Sequence, residues 1–227
     1  MRNYITASLN RQPHEKARKR AMKIKYITIE REYGSGGTKI ARTLSQVCQI
    51  PCYGREILEA VAKKYDVSVD EIQKYEENTT SSFLYSIYAL SRLQSASAEP
   101  LTGEGRIFVA EQEAIRNLSM NGKAIFLGHC ASEVLKEQSG VIKVFIRCSD
   151  PIEKKKHIVQ DYGIPEIEAE STRKRFDKKR SNYYASNTGR KWHDPTNYDI
   201  LLDSAKLGID GCVDLLKGLI KNEENYI

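Results

Sequence analysis

The 227-residue sequence predicts an α/β domain wound around a mostly parallel, five-stranded sheet. Three observations carry that expectation. Short β-branched runs alternate with amphipathic helical runs, as in strand–helix–strand units. The first such run ends in a glycine cluster that opens directly into a helix. Hydrophobic content of 40% and charged content of 29% are those of a globular chain.

The elements follow in order. "KIKYITIE" (23–30) is a core parallel strand, bounded by the glycine loop. "TKIARTLSQVCQ" places Ile40, Ala41, Leu44, Val47 and Cys48 at helical spacing. "IPCYG" is a short second strand, and "REILEAVAKKY" an amphipathic helix ended by the turn-prone Asp66. "SVDEIQKYEEN" opens with Ser68 and carries Glu71 three residues later, a capping-box signature. "SFLYSIYALSRL" (82–93) is a helix rich in Tyr, Phe and Leu, whose face has two open roles: covering a pocket or pairing two copies as a homodimer. "QSASAEPLTGEG" is small and polar and contains Pro100, so it reads as a loop or hinge.

In the second half, "RIFVAEQEAIRNLSMNG" is a helix stopped by Gly122, "KAIFLG" a buried strand and "ASEVLKEQ" a short helix. "VIKVFIRC" is the strongest strand. "DPIEKKKHIVQDYG" is a helix with Asp150 as cap, Pro151 in its first turn and Gly163 after its end. Residues 165–191 are long, polar and very basic. "YDILLDS" is the last strand, and "LGIDGCVDLLKGLIK" closes the chain as a helix.

Charge and cysteines narrow the function classes. Residues 1–21 hold Arg2, Arg11, Lys16, Arg18, Lys19 and Arg20 against the single acid Glu15, and so account for five of the six net positive charges. They are expected to be a disordered basic extension, with a single domain over 22–227 and Met22 as a natural start. The body is then near neutral, which argues against nucleic acid as a partner. Five scattered cysteines, Cys48, Cys52, Cys130, Cys148 and Cys212, read as small buried residues in a cytoplasmic protein rather than a zinc site or disulfides. No stretch approaches the roughly 20 apolar residues that span a bilayer, so no membrane partner is expected.

In parallel sheets ligands bind at the carboxyl ends of the strands. The loop after the first strand, "REYGSGGT", lies there. Its glycines permit positive φ and let successive backbone N–H groups form a nest for phosphate, reinforced by the following helix N-terminus. Thr38 occupies the position of a phosphate-loop hydroxyl for Mg²⁺. The full G-x-x-x-x-G-K-[ST] pattern is not met, because Arg31 replaces its first glycine and Gly37 its lysine. Lys39 or Arg31 are the two candidates for the missing charge.

A second cluster is "STRKRFDKKRSNYY". Arg173, Lys174, Arg175, Lys178, Lys179 and Arg180 crowd around one acid, Asp177. On a helix, Arg175 and Lys179 share one face, and Asp177 and Arg180 another. Such density suits a lid over a transferred phosphoryl group, a solvated basic helix, or a nucleic-acid face in which Tyr183 and Tyr184 stack on bases. A third element, "YDILLDSAKLGIDG", puts Asp203 and Ser204 where a strand enters a helix.

Taken together, "ITIEREYGSGG", "IFLGHCASEVL" and "DKKRSNYY…TGRKWHDPTNYDILLDSAKLGIDG" resemble the cytidylate kinase-like proteins, bacterial relatives of nucleoside monophosphate kinases, over about residues 24–220. The resemblance implies a P-loop kinase-type three-layer α/β/α fold with a helical acceptor (NMP-binding) region over about 54–105 and a lid over about 163–192. It implies ATP and Mg²⁺ as cofactors and nucleotides as partners. Arg31, Gly34, Ser35, Gly36, Gly37, Thr38 and Lys39 would hold the donor phosphates. Arg175, Asp177 and Arg180, with Lys39, would act in catalysis. Tyr53, Arg55, His129, Lys156 and Asp203 would meet the substrates.

Three departures stand out: Gly37 in place of the loop lysine, Gly54 where relatives show Asp, and His129 where they show the arginine that grips an acceptor phosphate. Replacing Arg by His loses a bidentate fork and a permanent charge. The leading expectation is phosphoryl transfer from ATP to a CMP- or dCMP-like nucleotide or another small acceptor. The alternative is a nucleotide-binding protein without turnover.

Overall fold

β-Branched residues and the alternation of side chains across a strand build the centre of the molecule. In the computed structural model, which describes residues 23–65, 68–69 and 103–221, five strands run parallel in the order β2-β3-β1-β4-β5. They are β1 (Tyr26–Arg31), β2 (Cys52–Tyr53), β3 (Ala124–Leu127), β4 (Val141–Arg147) and β5 (Ile200–Asp203). β1 lies between β3 and β4, with Tyr26 opposite Ala124 and Val141.

Because successive side chains point to opposite faces, the sheet has two cores. Ile27, Ile29, Ile125, Leu127, Val144 and Ile146 pack with Ile40, Ala41 and Leu44 of α1 (Gly37–Cys48) and with Cys212, Val213 and Leu216 of α7 (Ser204–Lys221). On the other face, Tyr26, Ala124 and Phe126 meet Ile57, Leu58 and Val61 of α2 (Arg55–Tyr65) and Ala110, Ala114 and Ile115 of α3 (Gly103–Ser119). This is the three-layer α/β/α arrangement with a parallel five-stranded sheet that the sequence predicts.

The remaining helices are α4 (Ala131–Val134), α5 (Pro151–Tyr162) and α6 (Ala169–Thr188). α5 begins as its sequence dictates: Asp150 accepts the N–H groups of Ile152 and Glu153, and Gly163 ends the helix at φ 66°. The basic stretch is the 20-residue helix α6. Gly208, at φ 69° and ψ 171°, kinks α7 just after its first turn.

One boundary moves. α3 starts at Gly103 rather than Arg106, so the end of the expected polar loop is helical despite two glycines that each cost about 1 kcal/mol there. The basic segment 1–21, the helix 82–93 and nearly all of the helix expected from Ser68 lie outside the described residues, as does much of the expected acceptor region. Among the described residues no helix is long and apolar enough to cross a membrane. Cys130, Cys148 and Cys212 are buried, and Cys48 and Cys52 are partly so.

Candidate active site

The glycine loop is where the sequence puts it, at the carboxyl end of β1. Gly34 and Gly36 have φ of 76° and 71°, the left-handed region that glycine enters without steric cost. A β-carbon at Gly34 would approach Ile158 and the Lys154 carbonyl oxygen at 2.7 Å, and one at Gly36 would meet Ile209 at 2.4 Å. The loop is therefore clamped from outside by α5 and α7. His157 Nδ1 lies 3.0 Å from the Gly34 carbonyl oxygen. The buried Ser35 hydroxyl accepts the Gly37 N–H at 3.3 Å.

Gly37 has a different reason to be glycine. Its β-carbon would lie 2.6 Å from Arg31 Cβ and 2.9 Å from Arg31 Cγ. The Arg31 side chain thus passes through the space that a larger residue at 37 would need, and its Nη1 runs on to Gly128, 2.4 Å from where a β-carbon there would sit. Arg31 Nε is buried without a hydrogen-bond partner among the described residues. Lys39, the other candidate for the missing charge, is exposed on α1.

Arg31 is joined by Arg180 of α6, whose Nη1 donates to the Arg31 carbonyl oxygen at 2.9 Å. The Arg180 guanidinium lies 5.5 Å over the Tyr33 ring. Burial first, and then the charge of Arg31, pulls Arg180 down to about 10, which leaves it cationic at neutral pH. Two guanidinium groups held together, one with an unpartnered Nε, carry an electrostatic cost that a bound anion relieves. They line a cleft of about 280 Å³ together with Glu30, Gly128, His129, Phe176 and Tyr183.

α6 is docked on the loop through Asp177 as well. Its Oδ1 accepts the Tyr33 N–H at 2.7 Å and its Oδ2 the Arg173 guanidinium at 3.2 Å. Burial raises the Asp177 carboxyl above its usual value, against the lowering effect of the Tyr33 bond. Tyr33 is stacked between Tyr162 and Phe176, with centroids at 4.6 and 4.7 Å. Asp177 and Arg180, which the sequence places on one helix face, take different partners: Asp177 pairs with Arg173, and Arg180 turns into the cleft.

The other expected residues are more dispersed. Thr38 is half-buried in the first turn of α1, and Tyr53 packs against Phe126 at 5.5 Å. Arg55 is exposed and pairs with Glu59, and Lys156 is exposed and pairs with Glu153. Arg175 is exposed, 5.4 Å above the Phe176 ring. Asp203 accepts the N–H groups of Ser149 and Ala205 and pairs with Arg147 at 3.3 Å. None of these last four lines the cleft. Trp192, Tyr184 and Tyr198, prominent in the sequence, form an aromatic core under the cleft rather than its wall, apart from Tyr184, which reaches both.

Two acids escaped the sequence reading. Glu30 is buried at the end of β1 and accepts Trp192 Nε1–H at 3.1 Å. Glu111 is fully buried on α3 and accepts from His129 and Tyr183. The signals were an acid inside an apolar strand, and an acid on the Phe108–Ile115 stripe of a helix.

A family model described as cytidylate kinase-like matches residues 26–206. The chain belongs to the cytidylate kinase-like family. No curated protein matches it significantly. Among solved structures, an uncharacterized protein from Eubacterium ventriosum ATCC 27560 shares 26% identity over 86% of this chain and 97% of that one, with a TM-score of 0.62. Shikimate kinase from Bacteroides thetaiotaomicron (13% identity, 86% and 98% coverage, TM-score 0.49) and deoxyadenosine kinase from M. mycoides (12%, 88% and 99%, 0.45) are fainter likenesses. At that distance they bear on neither substrate nor mechanism.

Proposed function

We propose that this family member is a cytoplasmic enzyme that moves the γ-phosphoryl group of ATP, with Mg²⁺, to a CMP- or dCMP-like nucleotide or another small acceptor. The observation that carries the reading is the Arg31–Arg180 pair beside the glycine loop. Phosphoryl transfer needs positioning and charge stabilisation more than covalent chemistry. Two features support a nucleoside triphosphate: Gly34 and Gly36 hold the loop before α1 at positive φ, and the Arg31 Nε, orphaned among the described residues, needs an acceptor. Thr38 would hold the metal, which when bound draws charge off the phosphates. Arg31 takes the part of the absent loop lysine, and Arg180, held over Tyr33, stabilises the charge that spreads over the transferred group.

The test is transfer of label from [γ-³²P]ATP to a panel of nucleoside monophosphates and small hydroxyl compounds, with and without Mg²⁺. Labelled product that requires Mg²⁺ is expected. The alternative, nucleotide binding without turnover, is favoured by His129 in place of an acceptor-gripping arginine. ATP binding with no labelled product from any acceptor would establish it instead.

A further inference from the structure

His129 is held as no incidental substitution would be. Gly128, His129 and Cys130 are consecutive residues at positive φ, 80°, 56° and 50°. Only the first escapes the cost of that conformation, which for other residues is of order 1–3 kcal/mol and persists where the surroundings impose it. The turn delivers the imidazole to the cleft wall with its side chain 10% exposed. Behind it, Glu111 is wholly buried, with Oε1 3.1 Å from His129 Nδ1, while Oε2 accepts the Tyr183 hydroxyl. A carboxylate on Nδ1 fixes the tautomer that has its proton there and makes Nε2 the basic nitrogen.

Resting on the phosphotransferase reading, we propose that Glu111 and His129 form a general-base pair, and that the acceptor is a hydroxyl compound rather than a nucleotide phosphate. A phosphate oxygen is already ionised at neutral pH and needs no base; a hydroxyl does. His129 is the catalytic residue and Glu111 a positioning residue, with Tyr183 securing the carboxylate from α6. In the step, His129 Nε2 takes the acceptor's hydroxyl proton as its oxygen bonds to the γ-phosphorus. The bond from that phosphorus to the β,γ-bridging oxygen breaks, and its electron pair leaves on the nucleoside diphosphate. The imidazolium then returns its proton to water.

Among the described residues, Glu111 from α3 meets the imidazole, and the titratable groups that line the cleft with it are Glu30 and Arg31 from β1, Cys130 beside it, and Lys179, Arg180 and Tyr183 from α6. The carboxylates favour protonation of His129 and the cations oppose it, so the rate should fall at acid pH as the base is lost.

Wild-type protein with ATP and Mg²⁺, offered nucleosides and small polyols beside nucleoside monophosphates and followed by ³¹P NMR, should form phosphate monoesters from the hydroxyl compounds. Transfer to monophosphates alone overturns the proposal and leaves the phosphotransferase standing; transfer to nothing removes both. H129Q should lower kcat by about 100-fold or more, with little change in KM for ATP and no acid limb left in its pH profile. H129R separates base from anion grip: it should be as inactive as H129Q, and gain of monophosphate turnover would overturn the base. Independently of turnover, E111Q should shift the NMR titration of the His129 ring to lower pH, and an unmoved titration removes Glu111 from its role.

Discussion

At the scale of single residues, the decisive relation is between Gly37 and Arg31. The sequence leaves Lys39 and Arg31 as equal candidates for the missing loop charge, because a pattern of letters does not show that two side chains compete for one space. The structure shows Arg31 Cβ 2.6 Å from where a Gly37 β-carbon would be. Restoring the usual lysine should therefore harm the protein. G37K is expected to cost about 1–3 kcal/mol of stability, the range for overpacking, and to weaken ATP binding; adding R31G should recover much of both, a coupling that a double-mutant cycle reads directly. A stable, tightly binding G37K would show that Arg31 moves aside freely. R31A should weaken ATP affinity and K39A should leave it intact, measured by calorimetry. R180A should lower kcat by about 100-fold or more, the scale of losing one preorganised donor, and unchanged turnover would take Arg180 out of the site.

At the scale of elements, strands and helices were legible because period-2 and period-3.6 patterns are local properties, and the Asp150 cap and Gly163 stop of α5 are local too. The pairing of α6 was not. Asp177 and Arg180 are three apart on a helix, so sequence spacing joins them, but Asp177 is drawn to Tyr33 and Arg180 to Arg31 by contacts spanning more than a hundred residues. The same holds for Asp203, which ties the end of β5 to the turn after β4. Burial raises its pKa, but the N–H groups of Ser149 and Ala205 and then Arg147 outweigh it, so its folded value is depressed. A depressed carboxylate contributes stability that is present above its unfolded pKa and is lost as pH falls through the folded one. D203N should thus melt below wild type at neutral pH, with the gap closing as pH drops below the usual carboxylate range. Asp177 has the opposite sign: its raised value favours the fold at acid pH and loses that contribution as pH rises. A D203N gap that stays constant from pH 7 to pH 3 would mean the ionised carboxylate is not what β5 contributes.

At the scale of the whole molecule, the cleft is built by bringing three distant parts of the chain together: the end of β1, the turn after β3 and the middle of α6. The fold class was legible because alternating strands and helices leave few topologies. The acids in and behind the cleft were not, because Glu30 and Glu111 look like exceptions in apolar runs until the fold sets them against Trp192 and His129. That geometry has a consequence for the entire structure. If Arg31 and Arg180 lie together as unrelieved cations in the free protein, an anion bridging them should tighten loop and α6 as one unit, and binding stabilises the fold by about 2.7 kcal/mol at a ligand concentration 100 times Kd. ATP with Mg²⁺ should therefore raise the melting temperature and slow amide exchange in residues 34–38 and in α6 around Asp177 and Arg180 together. In R180A the loop should still gain protection on binding while α6 no longer does. Protection confined to the loop in wild type would show that α6 is docked independently of the nucleotide and that Arg180 faces no part of it.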